Sequence, residues 1–549
     1  MKKQYSCKTI LYYAVVIFAA IVAYQIFPPL TVNDRLSVAF SAERVADAIN
    51  IISKKPHSIE HPKERKVVRE YLYHRLVQMG ASAQIFEYDS IKCKFGGYFD
   101  IANIYAEFSP AEQTDTTRYV LLVAHYDSRY RQEVLENTVY SYGAADDGYG
   151  LGVILESVNV ALKYREYWKQ GIKVLFTDSE EHELDGMVNM AQHDSHILDN
   201  VNFVINVEAR GVKGPALLFE TAKGNEKVVE LYKKARNPYT YSLTTFIYSI
   251  LPNNTDFTIV KESIPGMNFA VIDNLKYYHT DLDNYSNISL KSLQHYGLQI
   301  EPVLYEYLIS SKYSKQESLR SENDSVFFTI PLLGLHIFSK TGYILFNIIG
   351  FLLFMLLLAY YVFLERIKFR DILKGVGYSA VFAFGALVAG EIIAFVAAYM
   401  NGEKFGLTSV KYVQYDYLIT IISVLGLFLW TLIFFRLKEK NNIKFCYGFM
   451  LGTLLLIAVV SLVLLVFILE NFYLFVPLFV VAVAMLLAIL LRVKHFYVVS
   501  AFIVSVLGFS FLYCLITALT IGSLGIFLFI TSLYISLLIA QYYCYKRKI

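Results

Sequence analysis

Four stretches of this 549-residue chain set carboxylates or an imidazole directly behind an apolar run. YVLLVA at 119–124 is followed by His125-Tyr-Asp127-Ser, and IKVLFT at 172–177 by Asp178-Ser-Glu180-Glu181. NFVINV at 202–207 leads into Glu208-Ala-Arg210-Gly211, and MNFAVI at 267–272 is trailed by Tyr277-Tyr278-His279-Thr280-Asp281. Between the first two lies a glycine-bounded turn, Gly143-Ala-Ala-Asp146-Asp147-Gly148. Imidazoles and carboxylates collected from separate segments suit Zn2+ or a similar divalent ion. Two ions held close together need a carboxylate between them to offset their repulsion, and the order His, Asp, Glu-Glu, Glu, His can supply it. Adjacent Glu180 and Glu181 can divide the work, one on a metal and one carrying protons, though position alone does not say which. Singly, each group has an ordinary reading: a polar strand end, a helix cap or turn at Asp146-Asp147, a solvated acidic loop. The combination points to a site.

The elements that must position these residues are strands and helices in alternation. Short, continuously apolar, β-rich runs suit strands buried on both faces of a parallel or mixed sheet. Between them the pattern turns helical, at Gly150–Tyr167 and at Lys63–Met79, where Val67, Val68, Tyr71, Leu72 and Leu76 share a face. This is an α/β fold with a mostly parallel central sheet flanked by helices. Ligands of such sheets bind beyond the carboxyl ends of the strands, where these residues fall. The domain is expected over 41–313, long enough for its own core. It holds only Cys93, so no disulfide can form within it.

The rest of the chain is of another kind. Hydrophobic residues make up 56% of the sequence, against roughly 45–50% in soluble domains. The mean hydropathy is +0.42. Apolar runs long enough to cross a bilayer are expected near 9–30, 342–364, 376–399, 417–435, 446–469, 471–491, 496–518 and 521–543. The organisation is then a tail and anchor over 1–40, the α/β domain, a polar linker and interfacial segment over 314–341, and a seven-helix all-α transmembrane bundle over 342–549. If the N-terminus is cytoplasmic, the inside segments carry Lys2, Lys3, Lys8, Arg366, Lys368, Arg370, Lys374, Arg436, Lys438, Lys440, Lys444, Arg492, Lys494, Lys546, Arg547 and Lys548. The short outside loops keep only Lys404 and Lys411. That alternation obeys the positive-inside rule and puts the α/β domain on the exported side. The length of the first run favours a retained anchor over a cleaved signal peptide, for which Ala19, Ala20 and Ala23 would be the small residues. A formal net charge of +3 gives no reason to expect a nucleic-acid partner; the lipid bilayer is the partner the composition demands. Glu391 is the one acid well inside an apolar span, and is expected to serve helix packing.

The motifs AHYDS, GAADDG, SEEHELDG, NVEARG and YHT, in this order, resemble those of the co-catalytic zinc aminopeptidases, metallopeptidase family twenty-eight. The resemblance spans roughly residues 41–312. The layout of anchor, domain and helices is similar to its membrane-anchored subgroup, the vacuolar-membrane and endoplasmic-reticulum-membrane metallopeptidases. It implies two Zn2+ per chain, with Asp146 bridging, His125 and Glu208 completing one site, and Glu181 and His279 the other. It implies Glu180 as general base for the attacking water, Asp127 as the carboxylate orienting His125, and Tyr278 as oxyanion stabiliser. The implied activity is hydrolysis of N-terminal residues from peptide substrates, on the exported face of a bacterial membrane or, as the alternative, in a vacuolar or endoplasmic-reticulum lumen. Competing readings are a carboxypeptidase or glutaminyl cyclase on the same fold, or a silent peptide-binding scaffold or transporter. The chain departs from the family at Asp147, often Asn, which would place an additional carboxylate beside the metals. It departs also at Glu183, commonly Gly, and at Glu208, often Asp.

Overall fold

The computed structural model describes residues 2–24, 31–134, 137–251, 253–406, 410, 412–439 and 443–546. Lys411, Lys440, Arg547, Lys548 and the end of the first apolar run, from residue 25, lie outside the described residues. By contact the chain falls into two compact units, Phe27–Thr329 with Gly334–Ser339, and Met1–Ile26 with Ile330–Leu333 and Lys340–Ile549.

The first unit is built on a seven-stranded sheet. Its strands are β1 (Ser82–Lys92), β2 (Tyr98–Phe108), β3 (Tyr119–His125), β6 (Gly171–Thr177), β7 (Val201–Ala209), β8 (Leu217–Thr221) and β9 (Gly266–Val271). A small antiparallel pair, β4 (Gln132–Val134) and β5 (Asn137–Val139), lies apart from it. The spatial order is β1-β2-β6-β3-β7-β9-β8. β6, β3, β7 and β9 run parallel, while β1, β2 and β8 join antiparallel at the two edges. The four expected strands are thus the parallel core, and every residue of β3, β6, β7 and β9 is buried. Side chains alternate between the faces. Val120, Leu122 and Ala124 join one hydrophobic cluster, whereas Tyr119, Leu121 and Val123 join the other.

Helices cover the first face. Pro62–Gln78 starts with proline in its first turn, where the missing N–H costs nothing, and buries Val68, Leu72 and Leu76. Gly148–Ala161 is buried almost along its length, and Leu290–Ile309 lays Leu293, Tyr296 and Ile300 in the same cluster. The stretch 314–325, which reads as a linker by composition, is folded onto the sheet instead. Asn202 Nδ2 donates to the carbonyls of Tyr313 and Lys315, and Leu319 is fully buried. The apolar segment after it forms a two-stranded ribbon, β10 (Ser325–Ile330) with β11 (Gly334–Ser339). Its β10 strand is buried throughout.

The second unit is helical. Among the described residues, eight helices are long and apolar enough to span a membrane: Cys7–Tyr24, Lys340–Phe363, Phe369–Met400, Asp416–Lys438, Lys444–Phe467, Phe472–Leu490, Phe496–Leu519 and Ile521–Lys546. The third starts several residues before the expected span, because Arg370, Asp371 and Lys374 continue the helix rather than break it. The first helix packs within this bundle, with Tyr12 donating to the carbonyl of Leu538 at 2.7 Å. Glu391 lies at a close crossing: its carboxylate accepts the N–H of Gly525, and a Cβ on Gly525 would fall 2.4 Å from its Oε1. The Leu387 carbonyl oxygen, 2.6 Å from the same Cβ, is a main-chain atom that cannot move aside, which favours glycine there.

Candidate metal centre

The parallel strands end at one edge, and the loops leaving that edge carry the chemistry. His125 closes β3, opposite Thr177 on β6. Beyond Thr177, Ser179 takes a left-handed φ of 59°, turning the chain so that Glu180 and Glu181 open a four-residue helix. Glu208 lies one residue before the end of β7. His279 follows β9 on a loop and is itself left-handed, at φ 61°. Asp146 sits just ahead of the helix Gly148–Ala161. Non-glycine residues held in this conformation are uncommon and concentrate at functional sites.

The two oxygens of Asp146 face different histidines. Oδ1 is 3.2 Å from His125 Nε2, and Oδ2 is 3.2 Å from His279 Nε2. Glu208 Oε2 lies 3.7 Å from His125 Nε2, and Glu181 Oε1 lies 3.2 Å from His279 Nε2. The result is two three-donor groups, His125–Asp146–Glu208 and Asp146–Glu181–His279, each with its donor atoms within 4.8 Å of one another. Tetrahedral bonds of ~2.0–2.1 Å place donor atoms about 3.3 Å apart, so these spacings fit a cation at each position. Asp146 Oδ2, Glu181 Oε1 and His279 Nε2 are buried with no hydrogen-bond partner. Orphaned polar atoms of this kind are costly, and a cation would satisfy all three.

Each ligand is held from behind. The Asp127 carbonyl is 2.9 Å from His125 Nδ1, leaving Nε2 to face the site. The Asp127 carboxylate accepts the N–H of Glu180 at 3.0 Å and of Glu181 at 3.3 Å, so one side chain orients both glutamates. Asn206 donates to Glu208 Oε1 at 3.0 Å. Arg129 donates to Glu181 Oε2 at 2.8 Å and to its carbonyl at 2.7 Å. Asp283 accepts the N–H of Ala145 at 2.7 Å and of Asp146 at 3.2 Å, and the hydroxyl of Ser141 at 3.0 Å. The Tyr278 ring stacks on that of His279, with centroids 3.6 Å apart.

Burial dominates the electrostatics. It pushes Glu180 well above the usual carboxylate range, against the pull of His125. It raises Glu208 to about 8 and Asp256, whose carboxylate accepts the Thr177 hydroxyl, to about 6. Burial works on Glu181 in the same direction, but His279 and Arg129 overcome it and hold this carboxyl well below its usual range. Glu180 is therefore the group suited to take up a proton, and Glu181 the one suited to stay ionised.

All eight site residues expected from the sequence gather here. Asp147 joins neither donor group; its Oδ1 caps the helix by accepting the N–H of Gly150 at 2.8 Å. Glu183 points outward to Lys94, at 3.1 Å. His182 is buried against Asp185, 2.8 Å away. Asp178 is structural, paired to Arg65 at 3.2 Å and accepting from Tyr126 at 2.9 Å. Sequence reasoning missed Arg129, Asp256 and Asp283. Arg129 alone had a signal, lying two residues after Asp127 in the same strand-end loop.

Fold and donor set together define a candidate two-cation centre, in a chain with eight helices long and apolar enough to cross a membrane among its described residues. Residues 103–304 match the sequence model of Peptidase family M28. Over 321 residues the chain is 30% identical to endoplasmic reticulum metallopeptidase 1 of Rattus norvegicus, covering 55% of this chain and 33% of that protein. Over 179 residues it is 29% identical to the vacuolar membrane protease of Lodderomyces elongisporus, covering 32% and 17%. Among solved structures, the glutaminyl cyclase of Porphyromonas gingivalis aligns with a TM-score of 0.39 at 20% identity, covering 49% of this chain and 98% of that one. The chain spans about a third or less of the length of these curated relatives.

Proposed function

We propose that the chain is a multi-pass membrane zinc metallopeptidase, an aminopeptidase that hydrolyses N-terminal residues of peptides. The observation that carries this reading is the shared carboxylate of Asp146, one oxygen in each donor group. His125, Asp146 and Glu208 would hold one Zn2+, and Asp146, Glu181 and His279 the second. Bound there, the ions supply acidification of water and polarisation of the scissile carbonyl. Glu180, kept protonatable by burial and fixed through its N–H by Asp127, takes the proton of the attacking water and passes it to the leaving amine. Tyr278, beside His279, donates its hydroxyl to the carbonyl oxygen as negative charge develops. The excess of buried acid around Glu208, Glu180 and Asp256 suits a substrate ammonium. Carboxypeptidase action would need a cation for the terminal carboxylate, but Arg129 is engaged by Glu181, which turns that reading on Arg210. The charge pattern supports an exported domain with the N-terminus inside, and a bacterial cytoplasmic membrane is the setting we favour.

The test is turnover of aminoacyl, N-blocked and N-terminal glutaminyl peptides by detergent-purified protein, with zinc quantified. Two zinc ions per chain and cleavage of free N-termini only are expected. Glu180→Gln should lower kcat by about 10²–10⁴-fold with zinc retained. Cyclised product from the glutaminyl peptide would move the assignment to a cyclase. Bound zinc without turnover, alike in wild type and variant, would leave a peptide-binding scaffold.

A further inference from the structure

The two donor groups are chemically matched. Each offers a histidine Nε2, one oxygen of Asp146 and one glutamate oxygen. They differ in what grips the glutamate from behind. Behind Glu208 is a neutral amide, Asn206, which also donates to Asn268 Oδ1 at 3.0 Å. Behind Glu181 is a guanidinium. Arg129 grips both the side chain and the carbonyl of Glu181, and its Cζ lies 4.2 Å over the ring of Tyr130. That ring is buried, with Phe95 packed edge-on at 4.9 Å and Lys94 Nζ at 5.0 Å. The positive charge is thus fixed in place by three contacts of its own.

A fixed cation one carboxylate away repels a metal ion, strongly so in a buried site where water screens little. A carboxylate already sharing its charge with guanidinium is also a poorer donor. On the Glu208 side the group in that place is the neutral amide of Asn206, which brings no such repulsion. We propose that Arg129 is a positioning residue for Glu181 that holds the cation position at Asp146, Glu181 and His279 to a lower affinity than the matched position at His125, Asp146 and Glu208, so that the two fill in order. This rests on the two-ion reading above. At limiting metal the chain then carries one ion, on the His125 side, and the second position reports metal supply.

The experiment strips the full-length detergent-purified chain of metal and titrates it with Zn2+ against a chromophoric chelator, and with Co2+ followed by its visible spectrum. Wild type should show two steps whose constants differ by on the order of 10-fold or more. Glu181→Ala should retain the tight step, and Glu208→Ala the weak one. Arg129→Gln, which keeps a donor but not the charge, should tighten the weak step by about 10-fold, while Arg129→Lys should leave the inequality in place. Equal steps in wild type, or loss of the tight step in Glu181→Ala, would overturn the proposal whether or not the Arg129 variants fold. Weakening of the second step in Arg129→Gln would also overturn it, showing orientation without charge control. No metal binding by wild type would remove the two-ion reading itself, and this inference with it.

Discussion

Asp283 accepts the main-chain N–H of Asp146 at 3.2 Å, so the shared ligand is aimed by a carboxylate far along the chain. The same side chain takes the N–H of Ala145 and the hydroxyl of Ser141, closing the turn from both ends. Asp283→Ala should leave those buried donors unsatisfied and let Asp146 swing from between the histidines. We expect metal affinity and turnover to fall by about 10–100-fold, as for partners behind metal ligands. Asp283→Asn, which keeps one acceptor oxygen, should lose less. Zinc content after dialysis and kcat/KM on an aminoacyl substrate check both.

The parallel core was legible because its strands are buried on both faces and so are apolar without interruption. β1 and β2 gave no such run: SAQIFEYDSIK alternates polar and apolar residues because it is an edge strand with an exposed face. Four of the five candidate ligands were legible because they stand at or just beyond strand ends, which the parallel sheet brings to one edge; Asp146 instead stands ahead of a helix. Asp283 acts on main-chain N–H groups, a relationship that leaves no spacing to read, whereas Arg129 had a signal in its place two residues after Asp127. Asp147 kept two readings in the sequence, since a helix cap and an extra carboxylate beside a metal site call for the same residue in the same place. The stretch 314–325 misled because a polar composition does not tell solvated side chains from ones that bond the fold, as Gln316 does to the Val201 carbonyl and Asp324 to the Gly224 N–H.

His295 should make the domain acid-sensitive. It is fully buried, accepts the N–H of Ala216 at Nδ1 (2.9 Å) and donates from Nε2 to the Asn237 carbonyl (2.9 Å). Burial lowers its pKa from 6.5 to about 4, and does the same for His57. Between these values the unfolded chain binds the extra proton and the folded one does not. Stability is therefore complete above pH 6.5 and is lost as pH falls toward 4, by on the order of 3 kcal/mol per histidine. His295→Gln, which keeps an acceptor and a donor, should flatten that slope. Thermal unfolding of the detergent-purified chain between pH 4 and 7 measures it; an unchanged slope would count against the buried neutral imidazole.

In the helical unit, Gly452 sits where the helix Lys444–Phe467 meets the helix Phe369–Met400. A Cβ there would fall 2.5 Å from the Ile372 carbonyl oxygen and 2.5 Å from the Val376 nitrogen, both main-chain atoms that cannot step aside. Small residues let membrane helices approach this closely. Gly452→Val should force the pair apart and destabilise the bundle by about 1–3 kcal/mol, as overpacking does. Gly426→Val, at a position with nothing within 4 Å, is the control and should be neutral. Thermal stability in detergent separates the two.

Sidedness can be read from two cysteines already in the chain. Cys7 is exposed near the N-terminus, and Cys93 is half-buried in the turn between β1 and β2. Lys2, Lys3 and Lys8 flank the first span on one side, and positive charges near a span stay cytoplasmic. Cys7 should then lie inside and Cys93 outside. Cys446, Cys514 and Cys544 are buried, and replacing them by Ala or Ser together with either Cys7 or Cys93 gives two single-thiol variants to compare. In intact bacterial cells, a membrane-impermeant maleimide should label the chain that keeps Cys93 and spare the chain that keeps Cys7. Permeabilised cells should label both, which shows that protection of Cys7 comes from the membrane and not from packing. Labelling of Cys7 but not Cys93 in intact cells would invert the topology and put the donor groups of Asp146 in the cytoplasm, where an exported-peptide substrate could not reach them.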